Sequence, residues 1–99
     1  MPTHKLLITD GNAKGSEIAI AQDELLIGRL AGPEGTLGDD PELSRRHARV
    51  APTADGGLEI EDLGSTNGTY LDRAKVTGPT RVPQGVPVRI GKTVIELRS

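Results

Sequence analysis

The feature that most constrains this chain is how soon each apolar run is cut short. Leu58-Glu59-Ile60-Glu61 alternates apolar and charged residues, the period of a strand with one buried face. Val86-Pro87-Val88-Arg89-Ile90 repeats the pattern. Ser16 to Ala21 sets Ile18 and Ile20 on one face and Glu17 on the other. No segment sustains a helical period. Turn chemistry fills the gaps: Asp10-Gly11-Asn12-Ala13-Lys14-Gly15, Ala54-Asp55-Gly56-Gly57 and the two-residue Gly91-Lys92. Thirteen Gly and seven Pro in 99 residues are too many breakers for a helical bundle. The expected fold class is all-β, a two-sheet antiparallel β-sandwich whose loops gather at the ends of the sheets.

The remaining strands are placed by the same rule. His4 to Asp10 puts Leu6 and Ile8 on one face, and the Asp10 to Gly15 turn makes a hairpin with Ser16 to Ala21. Glu24 to Gly28 carries Leu25-Leu26-Ile27, a buried strand ending at a glycine. A strand begins near His47, where Ala48 and Val50 alternate with Arg49, and another spans Thr69 to Asp72. Arg73 to Gly85 holds at most a short edge strand around Lys75-Val76. Pro87 marks an edge position or a strand start. Thr93 to Arg98 closes the chain's pattern with Ile95 and Leu97 inward. Leu30 to Leu43 has neither period and reads as a long ordered loop, a kind that is commonly functional. The length predicts a single domain over residues 1–99, with its motifs between about 24 and 97. Tyr70 is the only aromatic residue, so the core must be aliphatic.

Several function classes fall away on composition. There is no cysteine, which excludes disulfide and thiolate chemistry. His4 and His47 lie too far apart in sequence for a metal-ligand spacing, so no metal or cofactor is expected. A net charge of −2 argues against a nucleic-acid partner. No apolar run approaches the ~18 residues of a membrane span and no signal peptide heads the sequence, so a cytoplasmic module without a membrane partner is expected, free-standing or cut from a longer protein. Gly91-Lys92-Thr93 imitates the end of a P-loop, but it precedes a strand rather than a helix and lacks the upstream glycine. Asn67-Gly68-Thr69 matches a glycosylation acceptor, a coincidence without a secretory signal.

Three polar fragments sit at strand ends: Gly28-Arg29, Ser44-Arg45-Arg46-His47, and Ser65-Thr66-Asn67-Gly68-Thr69 inside the Asp62 to Leu71 stretch. Each alone is a turn with solvated side chains. In this order, with Asp40-Pro41 ahead of Ser44 and Asp62-Leu63-Gly64 ahead of Ser65, they resemble the forkhead-associated (FHA) domain family. The resemblance covers the chain from Leu26 to Leu97. It implies a β-sandwich that binds phosphothreonine peptides, with no enzymatic activity. On that resemblance Arg29, Ser44, Arg45 and Thr66 contact the phosphate and Asn67 binds the peptide backbone. Gly28, His47, Gly68 and Thr69 support them: His47 ties the binding loops together from beneath, and Gly28 lets the backbone turn so that Arg29 faces the site. Ser65 has no assigned part.

The residue types suit that ligand. A phosphothreonine carries about −1.5 to −2 charges and three acceptor oxygens. Arg29 and Arg45 supply permanent cations, and a guanidinium forks onto two oxygens at once. Ser44 and Thr66 add short hydroxyl donors from two different loops. Asp39, Asp40 and Glu42 would repel acidic peptide positions, which predicts no acid preference at the third residue after the phosphothreonine. The implied partners are a phosphothreonine-containing protein, a Ser/Thr kinase or its substrates. Two alternatives remain: an FHA-like structural domain that binds without phosphate, and a small hydrolase using Ser44 and His47. The latter lacks both an acid to orient His47 and a Gly-x-Ser-x-Gly setting. Arg29, Arg45, Arg46 and Arg49 form a basic set with no stacking aromatics for RNA, and Arg46 and Arg49 read as solvated strand-face charge.

Overall fold

A computed structural model describes residues 4–20, 24–29 and 36–98. Ala21 and residues 30–35 of the expected long loop lie outside the described residues. Ten strands form: β1 (His4–Asp10), β2 (Glu17–Ile20), β3 (Leu25–Ile27), β4 (Ala48–Pro52), β5 (Leu58–Asp62), β6 (Thr69–Leu71), β7 (Ala74–Lys75), β8 (Thr80–Arg81), β9 (Val88–Ile90) and β10 (Thr93–Leu97). They make two antiparallel sheets, one of six strands in the order β2-β1-β10-β9-β6-β7 and one of four in the order β3-β4-β5-β8. The described residues contain no helix. The expected β-sandwich is therefore the observed architecture.

Register follows the alternation. Leu6 lies opposite Leu97 and Ile18, and Ile8 opposite Ile95, so each inward residue meets another inward residue across the ladder. A slip of one residue would turn every one of them to solvent. Val50 lies opposite Leu25 and Ile60 in the smaller sheet. The core between the layers is wholly aliphatic: Leu6, Ile8, Ile18, Ile20, Val88, Ile90, Ile95 and Leu97 from one sheet face Ile27, Ala48, Val50, Leu58 and Ile60 from the other. Truncating a side chain such as Ile90, fully enclosed, to Ala would cost about 2–5 kcal/mol.

Three details depart from the sequence reading. β8 was not expected; its two residues stand between Pro79 and Pro83, too short for any alternation to show, and it is held as an edge by pairing with Glu59 and Ile60. The edge strand near Lys75 is Ala74–Lys75, while Val76 turns inward and donates its N–H to the Thr69 carbonyl at 2.8 Å. β9 starts only at Val88, because Pro87 has no N–H for the ladder; its carbonyl instead accepts from Asp72 at 2.8 Å. Asp72 has φ 57 and so ends β6 one residue earlier than expected.

Topology brings the three polar fragments to one end. The β3–β4 connection carries Arg29 and Ser44. The β5–β6 connection carries Ser65 to Gly68, and it crosses from the four-stranded sheet to the six-stranded one.

Candidate functional site

Gly28 and the Ser44–Arg45 backbone are in direct apposition. A Cβ on Gly28 would stand 2.3 Å from the Arg45 carbonyl oxygen and 3.0 Å from that of Ser44. The glycine is required by this close approach of a neighbouring backbone; its φ is not among the positive ones. The approach allows the Arg29 N–H to donate to the Ser44 carbonyl at 3.0 Å and the His47 N–H to donate to the Ile27 carbonyl at 2.8 Å. The β3–β4 ladder thus continues past both strand ends and sets Arg29 beside Ser44. Arg29, Arg45 and Arg46 are exposed, and none forms an ion pair among the described residues.

His47 is fully buried and joins two loops. The Ser44 N–H can only donate, so Nδ1 accepts it, at 3.1 Å. Nε2 then carries the ring proton and donates to the Gly68 carbonyl at 2.9 Å. A second tie runs through the Ser44 hydroxyl, whose Oγ accepts the Thr66 N–H at 2.9 Å. With a lone pair so used, the hydroxyl proton remains to be given outward. Asn67 makes a third tie: its Nδ2 donates to the Glu42 carbonyl at 2.9 Å, which leaves Oδ1 and one N–H of the amide.

Asp62 organises the β5–β6 loop and was not singled out from the sequence. Its Oδ2 accepts the Gly64 and Ser65 N–H groups, each at 3.0 Å. Its Oδ1 accepts the Ser65 hydroxyl at 2.5 Å and the Thr69 hydroxyl at 2.7 Å. Ser65, whose part the sequence left open, therefore relays: it donates to Asp62 and accepts the Gly68 N–H at 2.9 Å. Burial pushes the Asp62 carboxyl up, but the hydroxyls of Ser65 and Thr69 and the N–H groups of Ser65 and Gly64 together hold it below the usual value. The signal was present in the sequence, since an Asp two and three residues before Gly and Ser is Asx-turn chemistry. Gly68 sits at φ 84, in the left-handed region that favours glycine, and Thr69 is fully buried.

Asp40 does for the neighbouring loop what Asp62 does for this one. The sequence alone groups it with Asp39 and Glu42 as a charge facing the peptide, but in the fold it does not face outward. Asp40 is only 1% exposed, accepting the Glu42 N–H at 2.8 Å, the Lys92 N–H at 2.9 Å and the Thr93 hydroxyl at 2.6 Å. Its side chain faces inward because those three donors surround it. Asp39 and Glu42 alone remain on the surface. A hollow of about 190 Å³ opens next to Arg29, lined by Thr36, Asp39, Asp40 and Pro41.

The arrangement is loops tied to one another through buried His47 and through the Ser44 and Asn67 side chains at the surface, with exposed arginines beside them. A model of the FHA domain matches residues 25–91. The chain belongs to the FHA domain family. Within it, FHA domain-containing protein FhaB of Mycolicibacterium smegmatis is 53% identical over 94 residues, 95% of this chain and 59% of that protein. The chain thus spans somewhat more than half the length of this curated relative. Among solved structures, the FHA domain of CT664 from Chlamydia trachomatis superimposes with a TM-score of 0.83 at 24% identity, over 97% of both chains, a likeness of fold. An FHA domain solved for its phosphothreonine-dependent interactions matches with a TM-score of 0.78 at 28% identity, over 97% of this chain and 95% of that one.

Proposed function

We propose that this chain is a phosphothreonine-dependent interaction module that recruits a phosphorylated protein, a Ser/Thr kinase or one of its substrates. The observation that carries the reading is Ser44, whose hydroxyl accepts the Thr66 N–H and whose carbonyl accepts the Arg29 N–H, with Arg29, Arg45 and Arg46 exposed and in no ion pair among the described residues. Arg29, Ser44, Arg45 and Thr66 take the phosphate, and the free half of the Asn67 amide takes the peptide backbone. Gly28, His47, Gly68 and Thr69 hold those groups in place. A relative of the same fold whose interactions depend on phosphothreonine supports the reading. The whole chain acts as one such unit in the cytoplasm, where kinases supply the mark.

The hydrolase alternative finds no support in the geometry. Both nitrogens of His47 are occupied by backbone groups, and its partner in Ser44 is the amide rather than the hydroxyl. A nucleophile needs the reverse. The binding surface also carries Asp39 and Glu42, so acid at the third position after the phosphothreonine is not favoured.

The test is a titration with one phosphothreonine peptide and its unphosphorylated and phosphoserine twins. Micromolar binding, about −8 kcal/mol, is expected for the first alone, and it weakens as salt rises. Equal binding of the unphosphorylated twin would favour the phosphate-independent domain and sink the proposal.

A further inference from the structure

The one tyrosine of a chain without Phe or Trp is not in the core. Tyr70 lies on the outer face of the six-stranded sheet, because inward Thr69 is fully buried and its neighbour must point the other way. It is half-exposed, with the Arg89 guanidinium 4.9 Å from its ring centroid. Around it opens a hollow of about 360 Å³, lined by Tyr70, Asp72, Arg73, Pro87, Arg89 and Val94. Lys75 stands opposite Tyr70 in the β6–β7 ladder.

Charge decides what fits there. Arg73, Lys75 and Arg89 are exposed, and none has a carboxylate within ion-pair distance among the described residues. Asp72 is the only acid in the lining. On the other sheet the outward arginines behave differently: Arg49 meets Glu24, Glu59 and Glu61, and Arg81 meets Asp55. Tyrosine and arginine are the side chains enriched at protein interfaces and at their energetic centres, whereas a lone exposed apolar residue means little. Here ring, proline, valine and two arginines without a carboxylate partner among the described residues share one concavity, with Lys75 opposite the ring in the ladder.

We propose that this outer face of the six-stranded sheet is a second docking surface, which takes an unphosphorylated acidic segment of a partner protein. Acidic side chains meet Arg73, Lys75 and Arg89, while an interleaved apolar side chain covers the Tyr70 ring, Pro87 and Val94. Backbone carbonyls at sheet positions are already paired in the ladders, so the contact is through side chains and depends on salt. The surface is separate from the phosphate-holding groups but not remote: a Cβ on Gly68 would lie 3.0 Å from the Tyr70 ring, so the ring borders the Asn67–Gly68 turn.

The probe is a fluorescein-labelled decapeptide of alternating Glu and Leu, with its Lys and Leu twin, titrated into the isotope-labelled chain and followed by amide NMR shifts. The acidic peptide should shift residues 70–75, 88, 89 and 94, leave Ser44 and Thr66 in place, and bind at least tenfold more weakly to Arg73→Glu/Arg89→Glu. That variant should retain its affinity for a phosphothreonine peptide; the unphosphorylated probe thereby separates this proposal from the phosphothreonine reading. Lys75→Glu, on the exposed edge hairpin, gives the same reading should the double reversal fail to fold. The proposal is overturned if the Lys and Leu twin binds as well, if the shifts fall on Arg29 and Ser44 instead, if charge reversal changes nothing, or if the same resonances move on dilution without peptide or respond preferentially to an oligouridine.

Discussion

Arg49 lies within β4, and Arg29 lies just past the end of β3, the strand beside it. Their surroundings differ completely. Arg49 is enclosed by carboxylates, Nε to Glu61 at 2.6 Å and Nη2 to Glu59 at 3.0 Å, with Glu24 at 3.5 Å. The hydrogen bonds to Glu61 and then Glu59 hold its pKa above the ordinary value. Arg29 is exposed and has no ion pair among the described residues. The first cation is neutralised by its own protein; the second is not, among the described residues. The lesson is that counting arginines says little about binding; what counts is which of them have been left without acids.

The largest effect should come from Arg29. Arg29→Ala is expected to weaken phosphothreonine-peptide binding ~100-fold or more, in the range of 2–5 kcal/mol for losing one side of a buried charge pair, with the melting curve unmoved. Calorimetric titration reads it, and a loss under threefold would break the comparison. Arg49→Met should do the converse. Because its ion pairs are partly exposed, stability should change by less than ~1 kcal/mol and peptide affinity by nothing measurable.

Between those extremes stand the supports. His47→Ala leaves the Ser44 N–H and the Gly68 carbonyl without partners in a sealed site, and about 2–4 kcal/mol of stability should be lost, read as a shift of the urea midpoint. Gly28→Ala forces a Cβ into the Arg45 carbonyl, and about 1–3 kcal/mol should go with it, together with peptide affinity. The smallest effect is on acid tolerance. Asp62 has its folded pKa lowered, so its contribution is fully present above the unfolded value near 3.8 and is lost as pH falls through the folded one. Asp55, brought down to about 2 by the Thr53 hydroxyl, Arg81 and the Gly57 N–H, acts in the same direction. Acid unfolding followed by circular dichroism should therefore steepen below pH ~4, and Asp62→Asn should flatten that limb. An unchanged acid limb in Asp62→Asn would show the carboxylate to be incidental to the loop.

Much of this was legible in the residues. Alternation, apolar runs and turn punctuation together place nine of the strands within a residue or two, since a period of two survives in Leu58 to Glu61 or Thr93 to Leu97 whatever packs against it. It could not place β8, where two residues between prolines carry no period. The site fragments were legible as a set, because cations and hydroxyls clustered at strand ends have a chemistry of their own. Their division of labour was not. Nothing in Asp40-Pro41 says that the carboxylate turns inward to the β9–β10 hairpin, a contact fifty-two residues away in sequence. Asp62 does not stand out in the sequence because the loop's donors carry the recognisable chemistry, whereas the acceptor that gathers them shows its role only when the loop is folded. Gly28 was read as a conformational need, whereas its reason is a neighbouring backbone that only the folded chain reveals.

The crossing of residues 63–68 from one sheet to the other has a mechanical consequence. A ligand gripped by Arg29 and Ser44 on one layer and by Thr66 and Asn67 on the bridge between layers acts as a clasp on the open end of the sandwich. For such a clasp to be released the layers need not unfold, but for the layers to part at that end it must first let go. Phosphopeptide at a hundredfold excess over its Kd would thus add about 2.7 kcal/mol to unfolding, and amide exchange would slow first at Thr66, whose N–H is held by the Ser44 hydroxyl at 2.9 Å.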